Sequence, residues 1–379
     1  MRRLRLALEL REIALPLGAP IVLTLVSAAV VAAIGQAVMT RIGINMLINL
    51  IIVVGLYLFV GNSGVLSFGH VAFVAIGAYT SAILSIPPTM KRFLLPQLPH
   101  VLEHAHFGPI SAALAAAVVA AAVAFVLGLS LMRLSGLLAA IATLAVLEIT
   151  YVVARNWDAL TRGTGGMFAV PTDTSLVATL AWAIVAICVT FAYQNSASGL
   201  RLRASRESDT AAAAVGISIT KDRVIAFTLS AGIVAIGGSL YAHFLGAFSP
   251  DNFYFDMTFL ALAMLIVGGI RSLLGAVVGT IAITVISEGF LRIEESTGWS
   301  GLREIALAVV MIGILVFRPS GITGGREAPA VRFSGIRAQL RHRPRQPDTG
   351  DVREGLFTDA AANTVDAPTT AAGTQGGRE

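Results

Sequence analysis

Two glutamates, Glu148 and Glu288, interrupt long apolar runs and are the first residues of this sequence whose types could do chemistry. An ionisable side chain at membrane depth is costly to desolvate and is therefore a functional candidate by default. Either carboxylate could relay a proton or meet a substrate ammonium group. Both sit toward the ends of their runs, where an interfacial carboxylate with a hydrogen-bonded partner is the simpler account. For His70, packing and hydrogen bonding stand against a gating role. Asn45 and Asn49 are one helical turn apart and share a face, and interhelical hydrogen bonding is their expected use.

Bond-making chemistry has no motif here. Neither lysine, Lys91 nor Lys221, follows a glycine, so there is no G-K-[ST] phosphate loop, and H-E-x-x-H, C-x-x-C and G-x-S-x-G are absent as well. The sequence predicts no catalytic residue, no metal site, no cofactor and no ATPase of its own. Cys188, the one cysteine, lies in an apolar run and reads as a small buried residue, not half of a disulfide.

The elements that must position these residues are membrane helices. Of the 379 residues 56% are hydrophobic and 13% charged, and the mean hydropathy is +0.80. An ordinary soluble domain carries about 25% charged residues. Continuous apolar runs of about 20 residues exclude a β-barrel, whose strands alternate over about 10. The expected fold is an all-α, polytopic membrane bundle. The net charge of +5 comes mostly from arginine and reads as a topology signal, not as a nucleic-acid surface.

Ten apolar segments can be drawn: 20–39, 42–60, 64–86, 109–132, 135–153, 175–193, 223–247, 255–270, 273–291 and 303–317. The eighth and tenth are short for a span of about 20 residues, so eight to ten crossings are expected. Three basic clusters fall on one side under this count: the N-terminal run, the 194–223 loop, and the segment after Arg318. The positive-inside rule makes that side cytoplasmic, placing both termini inside the cell. Lys91, Arg92, Arg155 and Arg162 fall outside as exceptions. The expected organisation is a retained cytoplasmic segment 1–19 (no cleavable signal), a transmembrane domain 20–322, and a disordered cytoplasmic tail 323–379. In the tail, Phe333, Ile336 and Leu340 recur at helical spacing among arginines, fitting either contact with anionic lipid or a solvated basic patch.

Two stretches carry most of the functional information. Gly61 to Leu84 has glycine at 61, 64, 69 and 77, with Asn62, Ser63, Ser67 and His70 among them. Small residues let backbones approach and polar ones satisfy a bent backbone, so this reads as a bundle-interior helix beside a path. In the 201–223 loop, Ala211 to Ala214 form helix, Asp209 suits an N-cap or first-turn acid, and Gly216 suits a stop. A short charged helix there offers a docking surface for a cytoplasmic partner.

These stretches resemble the branched-chain amino acid ABC transporter permeases of the LivM/LivH family. The first reads G-x-x-G-x-L-S-x-G-H-x-A-F-x-x-I-G-A-Y-T, similar to the family's opening signature. The loop resembles the ATPase-coupling motif E-A-A-x-x-x-G, with Thr210 in place of the acid before Ala211, Ala212 and Gly216, and with Arg206 and Glu207 upstream. Segments 134–149, 161–171, 226–253, 268–280 and 318–322 extend the likeness, Arg271 and Ala276 departing from it.

The resemblance implies an ABC importer's permease subunit for branched-chain amino acids, in the cell (plasma or inner) membrane. Implied partners are two ATP-binding subunits, a second LivH-like permease, an external substrate-binding protein and membrane lipid. It further implies a coupling loop of Arg203, Arg206, Glu207, Asp209, Ala211, Ala212 and Gly216. Asn62, Ser67, Gly69, His70, Gly77, Thr143, Glu148, Gly165 and Gly166 are the implied translocation-path residues. The alternatives are a proton- or ion-coupled secondary transporter, or a related permease carrying urea, amides or other amino acids.

Overall fold

The computed structural model describes residues 2–299, 301–318 and 320–324, all within one compact unit, Met1–Ala330. Side chains 1–15 and residues from 325 onward lie outside the described set, and with them the tail and its basic apolar pattern. Fifteen α-helices follow in order: α1 (Arg2–Ile34), α2 (Ala37–Ser63), α3 (His70–Ser85), α4 (Pro88–Leu94), α5 (His100–His104), α6 (Pro109–Leu131), α7 (Gly136–Asn156), α8 (Asp158–Thr161), α9 (Leu176–Gln194), α10 (Ala197–Glu207), α11 (Asp209–Ala214), α12 (Ile219–Leu245), α13 (Phe255–Gly268), α14 (Leu273–Thr297) and α15 (Leu302–Phe317). Among the described residues there is no strand, only an isolated bridge between Met167 and Phe248. Among the described residues eight helices are long and apolar enough to cross a membrane, and α3 with α4, bent by 119°, would make a ninth.

Side-chain size decides which face of each helix turns inward. On α6, Ala112, Ala116, Ala120, Ala124 and Gly128 recur every fourth residue and are buried, against α12 and α3. Ile110, Val118 and Val126 on the same helix are 66–69% exposed. Small inside and large outside is the pattern of a helix whose outer face meets lipid tails. By contrast α2 is buried nearly all round from Met46 to Ser63, as is α3, so these two form the centre of the bundle. A helix apolar on every side belongs in such a position.

Between them runs α12, packed on α2, α3 and α6. Gly77 of α3 and Gly238 of α12 face each other's helices: a Cβ on either would collide with backbone, at Ala235 and Val74 respectively. The α13–α14 pair crosses as closely, at Gly268 and Gly279.

Several boundaries differ from the sequence expectation, and two of the differences are glycine breaks. The first apolar segment does not continue to 39, because Gly35, at φ +67°, breaks it and α2 starts afresh at Ala37. The third segment does not begin at 64. Gly64, at φ +72°, ends α2, and residues 64–69 are an irregular connection before α3. Stretch 61–84 is thus a helix end, a break and a short helix. Its freed amides find side-chain oxygens: Val65 N donates to Ser63 Oγ at 3.2 Å and Phe68 N to Thr143 Oγ1 at 3.3 Å. That is how irregular backbone is tolerated inside a membrane protein.

Candidate functional site

One end of the bundle collects the basic loops. Here α10 and α11 make two short helices where the sequence suggested one. Ser196 and Ser208 cap their first turns, accepting from Gly199 N and Ala211 N. Asp209 is the first-turn acid of α11, and Gly216, at φ +82°, closes it. Ile217 N donates to Ala212 O and Gly216 N to Ala213 O, the paired closure that a left-handed residue makes possible. Ala212 packs inward, whereas Ala211, Ala213, Ala214 and Val215 are exposed, Val215 by 77%.

The arginines of this end turn back onto the bundle. Arg206 Nη1 donates to Gly61 O, in the last turn of α2, at 2.6 Å, its stem lying against Gly64. Arg203 Nη2 donates to Gln194 O, the last residue of α9, at 3.0 Å. Arg223 Nη1 reaches Leu134 O, just past α6, at 3.4 Å, and its Nη2 pairs with Asp209 at 3.1 Å. Arg201 holds buried Asp222 with two bonds of 2.9 and 2.8 Å, and Ser198 adds a third at 2.7 Å. The free carbonyls of a helix C-terminus carry partial negative charge, which guanidinium groups satisfy and neutralise. Glu207 stays exposed, 3.3 Å from Arg206 and 4.0 Å from Arg271 in the α13–α14 turn.

The residues expected beside a path are mostly packed. Asn62 donates to Leu58 O at 2.8 Å, its buried Oδ1 having no partner among the described residues. His70 is 2% exposed, 2.7 Å from Ser67 Oγ, and its ring contacts Phe59, Phe73 and Phe227. Gly69 lies against the Thr143 backbone and Gly77 against α12, so both serve close packing. Thr143 Oγ1 donates to Ala140 O while receiving Phe68 N. A void of about 10 Å³ opens beside Ser67 and His70, against Ile52 and Leu56 of α2 and Thr258 of α13.

At the opposite end, Glu148 is exposed and accepts from Tyr254 Oη at 2.5 Å. Tyr254 stacks on Tyr151, whose hydroxyl donates to Asp251 at 2.7 Å and receives Arg155 at 2.8 Å. Glu288 is half-buried, with no hydrogen-bond partner among the described residues. Gly166, at φ +66°, lets residues 166–170 lie on the α12–α13 connection, where Met167 and Phe248 exchange bonds of 2.8 and 2.9 Å. Gly165 beside it is exposed. Two of the basic exceptions are internal pins: Lys91, fully buried, donates to Leu102 O and Ala105 O, and Arg162 covers the Phe168 ring. Arg92 bonds Glu103 at 2.6 Å and, with His100, holds that carboxyl below the usual carboxylate range.

Two features at this end escaped the sequence reading. A hollow of about 610 Å³ lies between α2, α12, α13 and α15. Asn45 and Asn49 line it, and neither makes a hydrogen bond among the described residues, so they are not the interhelical pair expected. Nearby, His243 joins α12 to α3: Ser81 and Ser85 hydroxyls lie 3.0 and 3.1 Å from Nε2, and Pro171 O lies 2.8 Å from Nδ1. The carbonyl can only accept, which places a proton on Nδ1. Ser239 donates to Ser81 at 2.7 Å and extends the chain. A lone histidine late in an apolar run was the available signal.

The comparisons with known proteins agree with this architecture. Residues 38–317 match the family described as branched-chain amino acid transport system / permease component. The high-affinity branched-chain amino acid transport system permease protein LivM of Salmonella typhimurium is 25% identical over 310 residues, 73% of this chain and 68% of its own. A probable branched-chain amino acid transport permease protein LivH of Methanocaldococcus jannaschii is 32% identical over 131 residues, 33% of this chain and 40% of its own. The autoinducer 2 import system permease protein LsrC of Klebsiella pneumoniae is 26% identical over 148 residues, 37% of this chain and 42% of its own. No solved structure matches. All-α and multi-pass in its described residues and matched across most of its spans, the chain belongs to the family of branched-chain amino acid transport permeases.

Proposed function

We propose that the chain is the membrane-spanning permease subunit of an ABC importer that carries branched-chain amino acids across the cell (inner) membrane. Two separate ATP-binding subunits dock at α10 and α11, a second LivH-like permease completes the pore, and an external binding protein delivers the cargo. The basic end is cytoplasmic, with both termini on that side. Segment 1–19 precedes the membrane domain 20–322, and the tail 323–379 is dispensable for transport. The observation that carries this reading is the capped α10–α11 pair, which combines an uncovered alanine and valine surface with arginines gripping span ends.

A push on α11 from an ATP-binding subunit reaches α12 through Asp209 and Arg223, and a push on α10 reaches α2 through Arg206. ATP-driven closure would bias the bundle between outward- and inward-open states, a two-state shift powered by differential contact. Within the bundle, Asn45, Asn49, Ile52 and Leu56 share one face of α2 and join the large hollow to the void at Ser67 and His70. That face spans about 16 Å of helix, and we assign the path to it.

Affinity capture of the tagged protein from its native membrane, with mass spectrometry of what accompanies it, tests the reading. An ATP-binding subunit and a second permease are the expected partners. A protein recovered alone that transports under a proton gradient would make it a secondary carrier. Cargo is tested by uptake: LsrC-like relatives handle a different compound, so transport of another small polar molecule with no leucine uptake would overturn the cargo assignment.

A further inference from the structure

The large hollow combines three properties that packing alone does not call for. Its volume, about 610 Å³, lies within the range of about 300–1,000 Å³ usual for small-ligand sites. Its wall carries both signs of charge, with Asp256 from the first turn of α13 and Arg303 and Glu304 from the first turn of α15. Beside these groups stands an apolar wall of Met257, Leu260, Leu307 and Met311.

One of the polar groups is held in place, and the others are uncommitted. Arg303 Nε donates to Ser287 Oγ at 2.7 Å, which fixes the side chain, while its terminal nitrogens have no partner among the described residues. Asp256, Glu304, Asn45, Asn49 and the Tyr241 hydroxyl also make no hydrogen bond among the described residues. Asp251, by contrast, is already bound by Tyr151. Asp256 and Glu304 are exposed and Arg303, Asn45 and Asn49 are half-buried, so these groups are open to water and free to exchange it for a small solute carrying both charges.

We propose that this hollow is a binding site for a neutral α-amino acid with an aliphatic side chain, at the end of the permease opposite the basic loops. The guanidinium of Arg303 takes the carboxylate, Asp256 and Glu304 take the ammonium group, and the apolar wall takes the side chain. Acids outnumber the single cation, so dicarboxylic amino acids are disfavoured. This rests on the reading that the chain carries amino acids. It places part of the cargo selectivity in the permease itself, beside that of the external protein.

The test is equilibrium binding of radiolabelled L-leucine to the purified complex in nanodiscs, without binding protein or ATP. Leucinamide, which lacks the carboxylate, and 4-methylpentanoate, which lacks the ammonium group, serve as competitors. Saturable binding displaced poorly by both is expected. Arg303→Gln should weaken leucine binding about tenfold or more and abolish the preference over leucinamide. Asp256→Asn should do the same for the preference over 4-methylpentanoate. Arg303→Lys and Asp256→Glu, which keep the charges, should restore part of each preference.

A complex that imports leucine with its binding protein yet shows no saturable binding here overturns the site and leaves the proposed function standing. A complex that hydrolyses ATP with its binding protein but imports no leucine overturns both. Lowered recovery of the complex, with leucine affinity unchanged in what remains, shows that the second permease covers the hollow and also overturns the site.

Discussion

The two ends of the bundle stabilise opposite charges. At the basic end, guanidinium groups of Arg206, Arg203 and Arg223 sit on carbonyls at or just past the ends of α2, α9 and α6. At the other end, phenol hydroxyls of Tyr254 and Tyr151 hold the carboxylates of Glu148 and Asp251. The arginines that mark topology therefore also act as helix caps. Arginine suits this use because its fork offers five donors, where lysine offers a point charge. A sequence that needed positive charge only for orientation could have used lysine; this one has two lysines in all.

The comparison can be broken from either side, and from the core between them. The largest effect is expected in the core: Gly77→Leu or Gly238→Leu should cost at least about 1–3 kcal/mol of overpacking, read as loss of folded protein on thermal unfolding in detergent. Unchanged stability would mean that α3 and α12 do not cross as described. Next, Arg206→Ala strips the α2 end of its cap. It should cost about 1.5–3 kcal/mol and reduce transport strongly, with Arg206→Lys restoring little. If Glu207→Ala proved the more damaging, the exposed acid and not the half-buried cap would carry coupling. Asp222→Asn weakens the Arg201 anchor at the start of α12 and should cost about 1–3 kcal/mol by the same measurement. Tyr254→Phe, on an exposed pair, should cause the smallest loss of stability of the set. A larger loss there would show that the tyrosine–carboxylate end is as firmly bound as the arginine end.

The fold class was legible because composition and run length are averages over whole helices. Element ends were legible where the cause is local. Asp209 and Gly216 sit in the turns they shape, and both were placed from the sequence. The role of Arg206 was not legible, because its acceptor carbonyl lies 145 positions away and nothing in an arginine marks an inward course. Gly64 and Gly69 looked alike, as interior packing glycines; Gly69 does lie against the Thr143 backbone, but Gly64 is a left-handed stop. The hollow escaped for a third reason. Asp256, Arg303 and Glu304 are charges in helix first turns, and only the packing of α13 and α15 brings them to one wall. Asn45 and Asn49 were the available clue, since a polar pair on one face of an apolar helix needs a partner.

The broken backbone between α2 and α3 has a consequence for labelling kinetics. Amides within a regular helix exchange with deuterium only when that helix opens. Between 64 and 69, Val65 and Phe68 donate to side-chain hydroxyls, and the amides of Leu66 and Ser67 have no partner among the described residues. Ser67 is nonetheless buried. Its exchange is governed by water reaching it, not by helix fraying. A peptide covering these six residues should therefore take up deuterium in step with the opening of the bundle, reporting on the transport cycle while the helices on both sides stay silent.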